Sequence, residues 1–491
     1  MPEINSYGDD SPIAAFATTP GGGALTLIRC SGRGALNLAE KIFSEPEKLR
    51  QAAGNTILHG WIVTANKEVS AIKTADTTAI SDIKTSLISK VDEVLVSVFR
   101  APKSYTGEDS LDISCHGGIA AGKGVMAALR AAGFRDALPG EFTFRAFMNG
   151  KLDLTQSEAV MELVSARTDK GRSHAISRLS GVLEQEINAV KEQLVEVLSG
   201  VEIFLDYSED EISANADEAA GHFSGQQPVR EILARLRTLA QSWRLERIYQ
   251  EGILAVIAGR PNAGKSSLFN LLLKEERSIV TEIPGTTRDW IEALISLDGI
   301  PVRLADTAGL RESLDPVEKI GVERSRGLLE SAELVLYLID GAADITAEDT
   351  AFINELKQTA RRKPLLTLWN KADISPLPPP AETGGDYISI SAKTGEGIAK
   401  LEAAIVQTIQ ECFNTADERT AVSLGTVRQK NLVEAAAAAL EETLALAEQG
   451  QPLDLIAPRL REAVNSLGEI TGEVSTADIL EKMFSKFCVG K

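Results

Sequence analysis

Cysteine, aromatic residues and long apolar runs are all scarce in this chain. Its 491 residues contain four cysteines (Cys30, Cys115, Cys412 and Cys488) and 5% aromatics. The cysteines lie too far apart for a metal site and show no disulfide framework. No apolar run approaches the ~18 residues of a membrane-spanning helix. The opening stretch, MPEINSYGDDSPIAAF, lacks the basic-then-apolar order of a secretion leader. These absences predict a soluble cytoplasmic protein with no membrane partner. Positive charge is the other deficit: 51 Lys and Arg stand against 70 Asp and Glu, a net charge of −19. Nucleic-acid backbones are bound by Lys and Arg displacing counterions, so this balance excludes non-specific RNA binding as the main activity. RNA would have to be reached through a local basic face or a partner. The segment from Arg230 to Arg247, with Arg235, Arg237 and Arg244, offers one such face, and more simply a solvated helix surface.

What is present begins with enough apolar material, 44%, for sizeable cores, in a chain whose length suggests about three domains. Residues 1–150 alternate TLIRC, VDEVLVSVF and SLDISCHGG, which read as strands, with VMAALRAAG, which reads as a helix closed by Gly133. Residues 64–90 turn to Ala, Thr, Ser and Lys and read as a long loop or insertion. Helical periodicity fills 151–250, broken by an acidic stretch near 206–218, and returns over 413–491. Between these blocks, residues 251–412 alternate strands and helices, the pattern of a mostly parallel α/β sheet. The expected architecture is therefore α/β and α: an N-terminal α+β domain, then a helical domain with an α/β domain inserted in it.

Chemistry concentrates in the insertion. After the strand ILAVIA, GRPNAGKSS at 259–267 fits GxxxxGK[ST] through Gly259, Gly264, Lys265 and Ser266, and a helix follows. Backbone N–H groups from Asn262 to Ser267, with Ala263 among them, can wrap phosphates at the positive end of that helix. Lys265 would neutralise the outer phosphates and Ser266 would ligate Mg2+. The stretch Thr281, Glu282, Ile283, Pro284, Gly285, Thr286 and Thr287 reads as a switch segment, with Thr287 the second Mg2+ ligand. DTAG follows the strand PVRLA, so Asp306 can hold a metal-bound water; Thr307 and Ala308 lead to Gly309, whose N–H can sense the last phosphate. NKAD ends another strand. The Asp373 carboxylate can accept from both guanine N1–H and the 2-amino group, which adenine lacks, with Asn370 and Lys371 supporting the ring. Ser391, Ala392 and Lys393 end the strand YISIS and can place a backbone N–H on guanine O6. Adenine would leave those buried groups unpaired, worth roughly 10⁴-fold discrimination. The substrate expected is GTP. A second GxxxxGK, at Gly117, Gly122 and Lys123, is followed by Gly124 in place of a hydroxyl residue, and reads as a strand-to-helix turn.

The residue after DTAG is Leu310, not the glutamine that orients water in Ras, and no arginine finger can be assigned. Another charge must balance the transition state. Asn262 is a candidate ligand for a monovalent cation, completed by switch-segment carbonyls. Glu318 is the candidate for orienting water; on the residues alone, a solvated helix charge explains it equally.

Together GRPNAGKSS, IPGTTRD, DTAGLRE with VEKIGVER, NKAD and SAKTGEG resemble the tRNA modification GTPases of the MnmE (TrmE) family. Outside the nucleotide domain, YTGED, PGEFTFRAFMNGKLDLTQSEA and the terminal FCVGK carry the resemblance, which spans nearly the whole chain. It implies a Ras-like nucleotide domain with potassium-dependent hydrolysis. K+ would be held by Asn262 and the backbone of Thr281, Ile283 and Thr286, and Glu318 would orient the water. It also implies a folate-binding-like N-terminal domain, binding a 5-formyl- or 5,10-methylene-tetrahydrofolate at a homodimer interface through Arg29, Asp112, Lys151 and Lys491. The family pattern carries Glu where this chain has Asp112, and FCIGK where it has FCVGK. A flavoprotein partner, MnmG (GidA), would hold FAD. The pair would modify C5 of the wobble uridine of tRNA, adding a carboxymethylaminomethyl or aminomethyl group, with Cys488 a candidate for catalysis. Two other functions stay open on the residues: a ribosome-assembly or signalling GTPase, and a folate-dependent methyltransferase with a regulatory GTPase.

Overall fold

A computed structural model describes residues 7–65, 88–206, 223, 225–274, 292–306, 327–343, 345, 349–351, 353–354, 364–375, 387–413 and 422–490. They form two compact units, Met1–Ser157 with Gly468–Lys491, and Glu158–Leu467.

The first unit is built on a six-stranded sheet ordered β3-β4-β5-β2-β1-β6. Its strands are β1 (Ile13–Phe16), β2 (Leu25–Ser31), β3 (Thr56–Ala65), β4 (Ile88–Phe99), β5 (Ser110–His116) and β6 (Arg135–Asp136). All neighbours are antiparallel except β1 and β6. Period-two alternation sorts the faces. Ile28, Cys30, Leu111, Ile113, Val94, Val96 and Val98 pack inward, with helices Ala35–Ala39 and Ile119–Ala132 contributing to the same core. The opposite face keeps large apolar side chains in water: Leu25, Ile57 and Leu95 are 66%, 67% and 47% exposed. The 64–90 stretch, read as loop, is strand at both ends, since Thr64 pairs with Ser89 and Ala65 with Ile88; what lies between falls outside the described residues. The helix Ile119–Ala132 follows β5 directly, and a Cβ on Gly117 would stand 1.8 Å from the carbonyl oxygen of Gly23, so the second GxxxxGK is a packed turn.

The C-terminal segment, helical at Ala477–Phe484, packs within the first unit. Phe484 stacks edge-on to Phe144 (5.4 Å) and lies 5.2 Å from Phe487, so aromatic burial joins it to the first unit. Much of the PGEFTFRAF motif serves this unit's folding. Glu141, fully buried, bonds Arg135 at 2.6 Å and Arg145 at 2.9 Å.

The second unit holds a six-stranded sheet ordered β12-β11-β10-β7-β9-β8. The strands are β7 (Ile253–Gly259), β8 (Glu292–Leu297), β9 (Ile300–Asp306), β10 (Leu334–Asp340), β11 (Leu365–Asn370) and β12 (Tyr387–Ser389), parallel apart from β8. β7 and β10 are continuous apolar runs because both sheet faces are covered. Ile253, Ala255 and Ile257 enter one core, and Leu254, Val256 and Ala258 the other. Asp298 (φ 49°) and Gly299 (φ 78°) turn β8 into β9, the two-residue pattern that Asp-Gly favours in hairpins. Helices Asp169–Leu179, Val182–Asp206 and Gln226–Glu251 precede the sheet, and Val427–Glu448 follows it. Four of the five arginines of the candidate RNA face are engaged, Arg230, Arg235, Arg237 and Arg247 pairing with Glu448, Glu186, Glu441 and Glu333, while Arg244 is exposed. Among the described residues no helix is long and apolar enough to cross a membrane.

Candidate nucleotide site

Strand order reverses at β7, with β9 on one side and β10 on the other, and ligands of open α/β sheets bind beyond the carboxyl ends at such points. Among the described residues, the phosphate loop, Asp306 and the NKAD and SAK stretches meet there. Gly259 ends β7, and the helix Lys265–Lys274 starts at the GKSS lysine. Asn262 takes a left-handed conformation (φ 63°), which asparagine tolerates better than most residues. Lys265 Nζ donates to the carbonyls of Gly259 (3.0 Å) and Arg260 (2.8 Å), which hold the ammonium over the loop. Ser266 Oγ donates to Asp306 Oδ2 at 2.8 Å, joining the residue after the loop lysine to the end of β9. A serine hydroxyl beside a carboxylate is the hard oxygen set that Mg2+ takes.

The guanine end is stitched to the phosphate end by one side chain. Asn370, 2% exposed at the end of β11, donates from Nδ2 to the Ala263 carbonyl (2.7 Å) and accepts from the Ala392 N–H (2.9 Å). It crowds the loop so closely that a Cβ on Gly264 would stand 2.2 Å from its Nδ2, so Gly264 (φ 97°) needs to be glycine twice over. Ser391 Oγ donates to Asp373 Oδ1 at 2.7 Å and so sets the orientation of the exposed carboxylate. Ser267 and Lys393 are exposed beside these groups in sequence.

Two residues of this site escaped the sequence reading. Asp340 accepts from Lys371 Nζ at 2.6 Å, and Asp349, 2% exposed, accepts from Tyr337 Oη at 2.9 Å and lies 3.5 Å from Arg260 of the phosphate loop. An acid at the carboxyl end of the apolar strand VLYLID was the available signal for Asp340. Thr281, Glu282, Ile283, Pro284, Gly285, Thr286, Thr287, Thr307, Ala308, Gly309, Glu318 and Lys491 lie outside the described residues.

The remaining candidates sit in the first unit. Arg29 and Asp112, register partners on β2 and β5, form a two-point ion pair (3.0 and 3.3 Å) on the face that carries Leu25, Ile57 and Leu95. The Arg29 guanidinium also lies 5.8 Å from the centre of the Tyr105 ring, within the YTGED motif. Lys151 Nζ donates to the Pro102 carbonyl at 3.2 Å. Cys488 is exposed; its carbonyl accepts from Gly140 N–H at 3.2 Å. Burial pushes the Cys30 thiol up and the Cys115 thiol up to about 11, so neither is a nucleophile in this state. His116 bonds Asp92 at 2.7 Å at the exposed end of β5.

Comparison with known proteins gives the family. Residues 12–151 match the model of the GTP-binding protein TrmE N-terminus, and residues 154–488 that of the MnmE helical domain. The tRNA modification GTPase MnmE of Treponema denticola is 42% identical over the full length of both chains. That of Symbiobacterium thermophilum is 40% identical over 98% of this chain and all of its own. Among solved structures, Aquifex aeolicus Era bound to GDP and AlF4− matches 32% of this chain and 56% of its own, at 27% identity and a TM-score of 0.24. Two family models that tile the chain and relatives matched end to end leave one assignment: the chain belongs to the MnmE family of tRNA modification GTPases.

Proposed function

We propose that this tRNA modification GTPase is activated by potassium and works with the flavoprotein MnmG to modify C5 of the wobble uridine, taking a one-carbon unit from a tetrahydrofolate. The observation that carries the GTP reading is the Asn370 bridge, which fixes the phosphate loop and the guanine-reading loop in one register. Ser266, with Thr287, would hold Mg2+, which supplies charge to the phosphates, and Asp306 would hold one of its waters. Lys265 neutralises phosphate, Asp373 reads guanine, and Glu318 orients the attacking water. Asn262, with the backbone of Thr281, Ile283 and Thr286, would hold the K+ that replaces an arginine finger; its left-handed backbone, which turns the loop at that residue, supports the role.

Support for the folate reading comes from the first unit taken alone. The Arg29–Asp112 pair offers both a donor fork and an acceptor, which suits a pterin edge or a glutamate tail. Asp112 fits by geometry, since the shorter side chain still meets Arg29 at two points. The exposed Leu25, Ile57 and Leu95 beside it suit a second copy, hence a homodimer through this domain. The terminal segment belongs to the same unit, which keeps Cys488 and Lys491 as candidates for that site. FAD would reside on MnmG, tRNA would be met mainly through the complex, and the setting is cytoplasmic.

Two measurements test the proposal. Hydrolysis should be faster in KCl than in NaCl, and Asn262→Ala should erase the difference; equal turnover in both salts refutes the potassium assignment. Deletion of Cys488 to Lys491 should leave GTP turnover intact while abolishing wobble-uridine modification, read by mass spectrometry of tRNA from a complemented deletion strain. Fully modified tRNA would refute the role of the tail.

A further inference from the structure

The nucleotide sheet is entered from the helix Gln226–Glu251 and left through Val422–Gly425 toward the helix Val427–Glu448. Both crossings meet one buried side chain. Arg178, 2% exposed, stands in the last turn of the helix Asp169–Leu179. It donates from Nη2 to Glu246 Oε1 (2.7 Å) on the entering helix and from Nη1 to Ser423 Oγ (2.9 Å) on the returning segment. Its Nε reaches Glu162 Oε2 at 2.7 Å. Ser423 in turn donates to Glu246 Oε2 at 3.2 Å, so entry and exit are tied to each other as well as to Arg178. The chain makes room for this contact: a Cβ on Gly425 would stand 2.0 Å from Glu162 Oε1 and 2.7 Å from Arg178 Nε.

The other end of the same helix touches the sheet. Lys170 Nζ lies 3.5 Å from Asp298 Oδ2, and the Lys170 stem packs on Gly299, where a Cβ would come within 2.8 Å of its Cγ. Asp298 and Gly299 form the turn between β8, which follows the PGTTRD motif, and β9, which ends at the aspartate of DTAG. The hairpin that joins these two stretches of sequence therefore rests its tip on this helix. Lys170, His174 and Arg178 recur every fourth residue and so share one helix face, and His174 bonds Glu246 Oε2 at 2.8 Å.

Two features let the cluster take a second arrangement. Arg178 Nη2 lies 2.6 Å from Glu162 Oε2 as well as 2.7 Å from Glu246 Oε1, and Glu162 Oε1 is buried without a hydrogen-bond partner, so a small turn of the guanidinium exchanges the bond to Glu246 for one to Glu162 Oε1. A cavity of about 430 Å3 adjoins the cluster, lined in part by His174, Ser177, Arg178, Ser242, Glu246 and Ser423, and gives the displaced groups somewhere to go.

We propose that Arg178 is a positioning residue that couples the hairpin between the two switch motifs to the helices, holding both crossings of the nucleotide domain in one register and exchanging partners when the hairpin moves. The proposal rests on the reading that GTP turnover drives a conformational cycle in tRNA modification. The test uses the full-length triple variant Arg178→Met, Glu162→Leu, Glu246→Met, because replacing the buried ion partners together by apolar groups preserves folding where removing one member does not, and His174 and Ser423, both partly exposed, can turn to water. The triple variant should melt like wild type and hydrolyse GTP with kcat and KM within about twofold, while tRNA modification in a complemented deletion strain falls by about tenfold or more. A merely structural role predicts that the triple variant keeps modification at the wild-type level, and that result would overturn the proposal. Loss of GTP turnover in step with modification would overturn it too, by placing the cluster in the hydrolytic machinery. Failure of the underlying reading has its own signature: an Asp373→Ala protein unable to bind GTP would still modify tRNA fully.

Discussion

Replacing Asn370 by alanine isolates the bridge that joins the two ends of the nucleotide site. The side chain is buried, and its amide serves two backbone groups at once, the Ala263 carbonyl at 2.7 Å and the Ala392 N–H at 2.9 Å. Alanine removes both partners and leaves a buried acceptor and a buried donor unpaired. Each orphaned group costs about 1–3 kcal/mol, so the pair should cost about 2–6 kcal/mol. The groups belong to the loops that wrap phosphate and read guanine, so the loss falls on binding as well as on folding. If half of it falls on binding, about 1–3 kcal/mol at about 1.4 kcal/mol per tenfold lowers GDP affinity between roughly 5-fold and roughly 150-fold. Calorimetric titration of GDP measures that term, and the melting temperature of the nucleotide-free protein measures the other. Both should fall. A drop in affinity with an unchanged nucleotide-free melting temperature would refute the argument, because it would place the whole effect in contact with the base and none in the bridge.

Other outcomes follow from single side chains. Asp373→Asn exchanges an acceptor for a donor, so GTP should weaken while xanthosine triphosphate gains; equal GTP affinity in variant and parent counts against the base-reading role. Glu318→Ala should lower kcat and leave GTP affinity nearly unchanged, since a group that orients water acts in the transition state; a loss confined to binding points to another residue. Burial pushes the Glu162 carboxyl up to about 7 from its ordinary value near 4.5, so its contribution to stability is full below pH 4.5 and is lost as pH rises through 7. Glu162→Gln cannot ionise, and relative to the parent it should gain up to about 3 kcal/mol in urea unfolding between pH 5 and pH 8; parallel stabilities at both pH values would sink the assignment.

The nucleotide site was legible because its chemistry is local. A phosphate loop needs its glycines, lysine and hydroxyl within a few residues of one strand end, and each further loop likewise follows its own strand. Each motif marks the end of its own strand, so β7, β9, β11 and β12 could be placed before any contact was known, while β10, which no motif follows, was not. The charges were not legible, for the converse reason. Periodicity reports which face of an element is covered and says nothing of the partner. Glu158 bonds Arg428 across 270 residues of chain, and Arg178 bonds Ser423 across 245. In sequence these four look like ordinary surface positions on amphipathic helices. Glu141 and Arg145 likewise read as features of a family motif, while the structure joins them with Arg135, outside that motif, in one buried ion cluster.

This division has a physical cause that bears on mechanism. Recognition of GTP is a matter of short loops at strand ends, so the chain can specify it by spacing alone. Relaying the state of those loops is a matter of groups brought together from opposite ends of an insertion. Val422–Gly425 returns to the helices more than 160 residues after Gln226–Glu251 leaves them, and what closes that loop is buried polar contact between Glu246, Ser423 and Arg178. Apolar packing would close it as stably. It would do so without the directional bonds that distinguish one register of the two crossings from another, whereas a guanidinium with three partners and a neighbouring unpaired oxygen has few acceptable arrangements. Discrete arrangements are what a coupling element needs, because a ligand shifts an equilibrium only between states that differ in contacts. The residues least visible in the sequence are thus the ones that tie the two crossings of the insertion to each other.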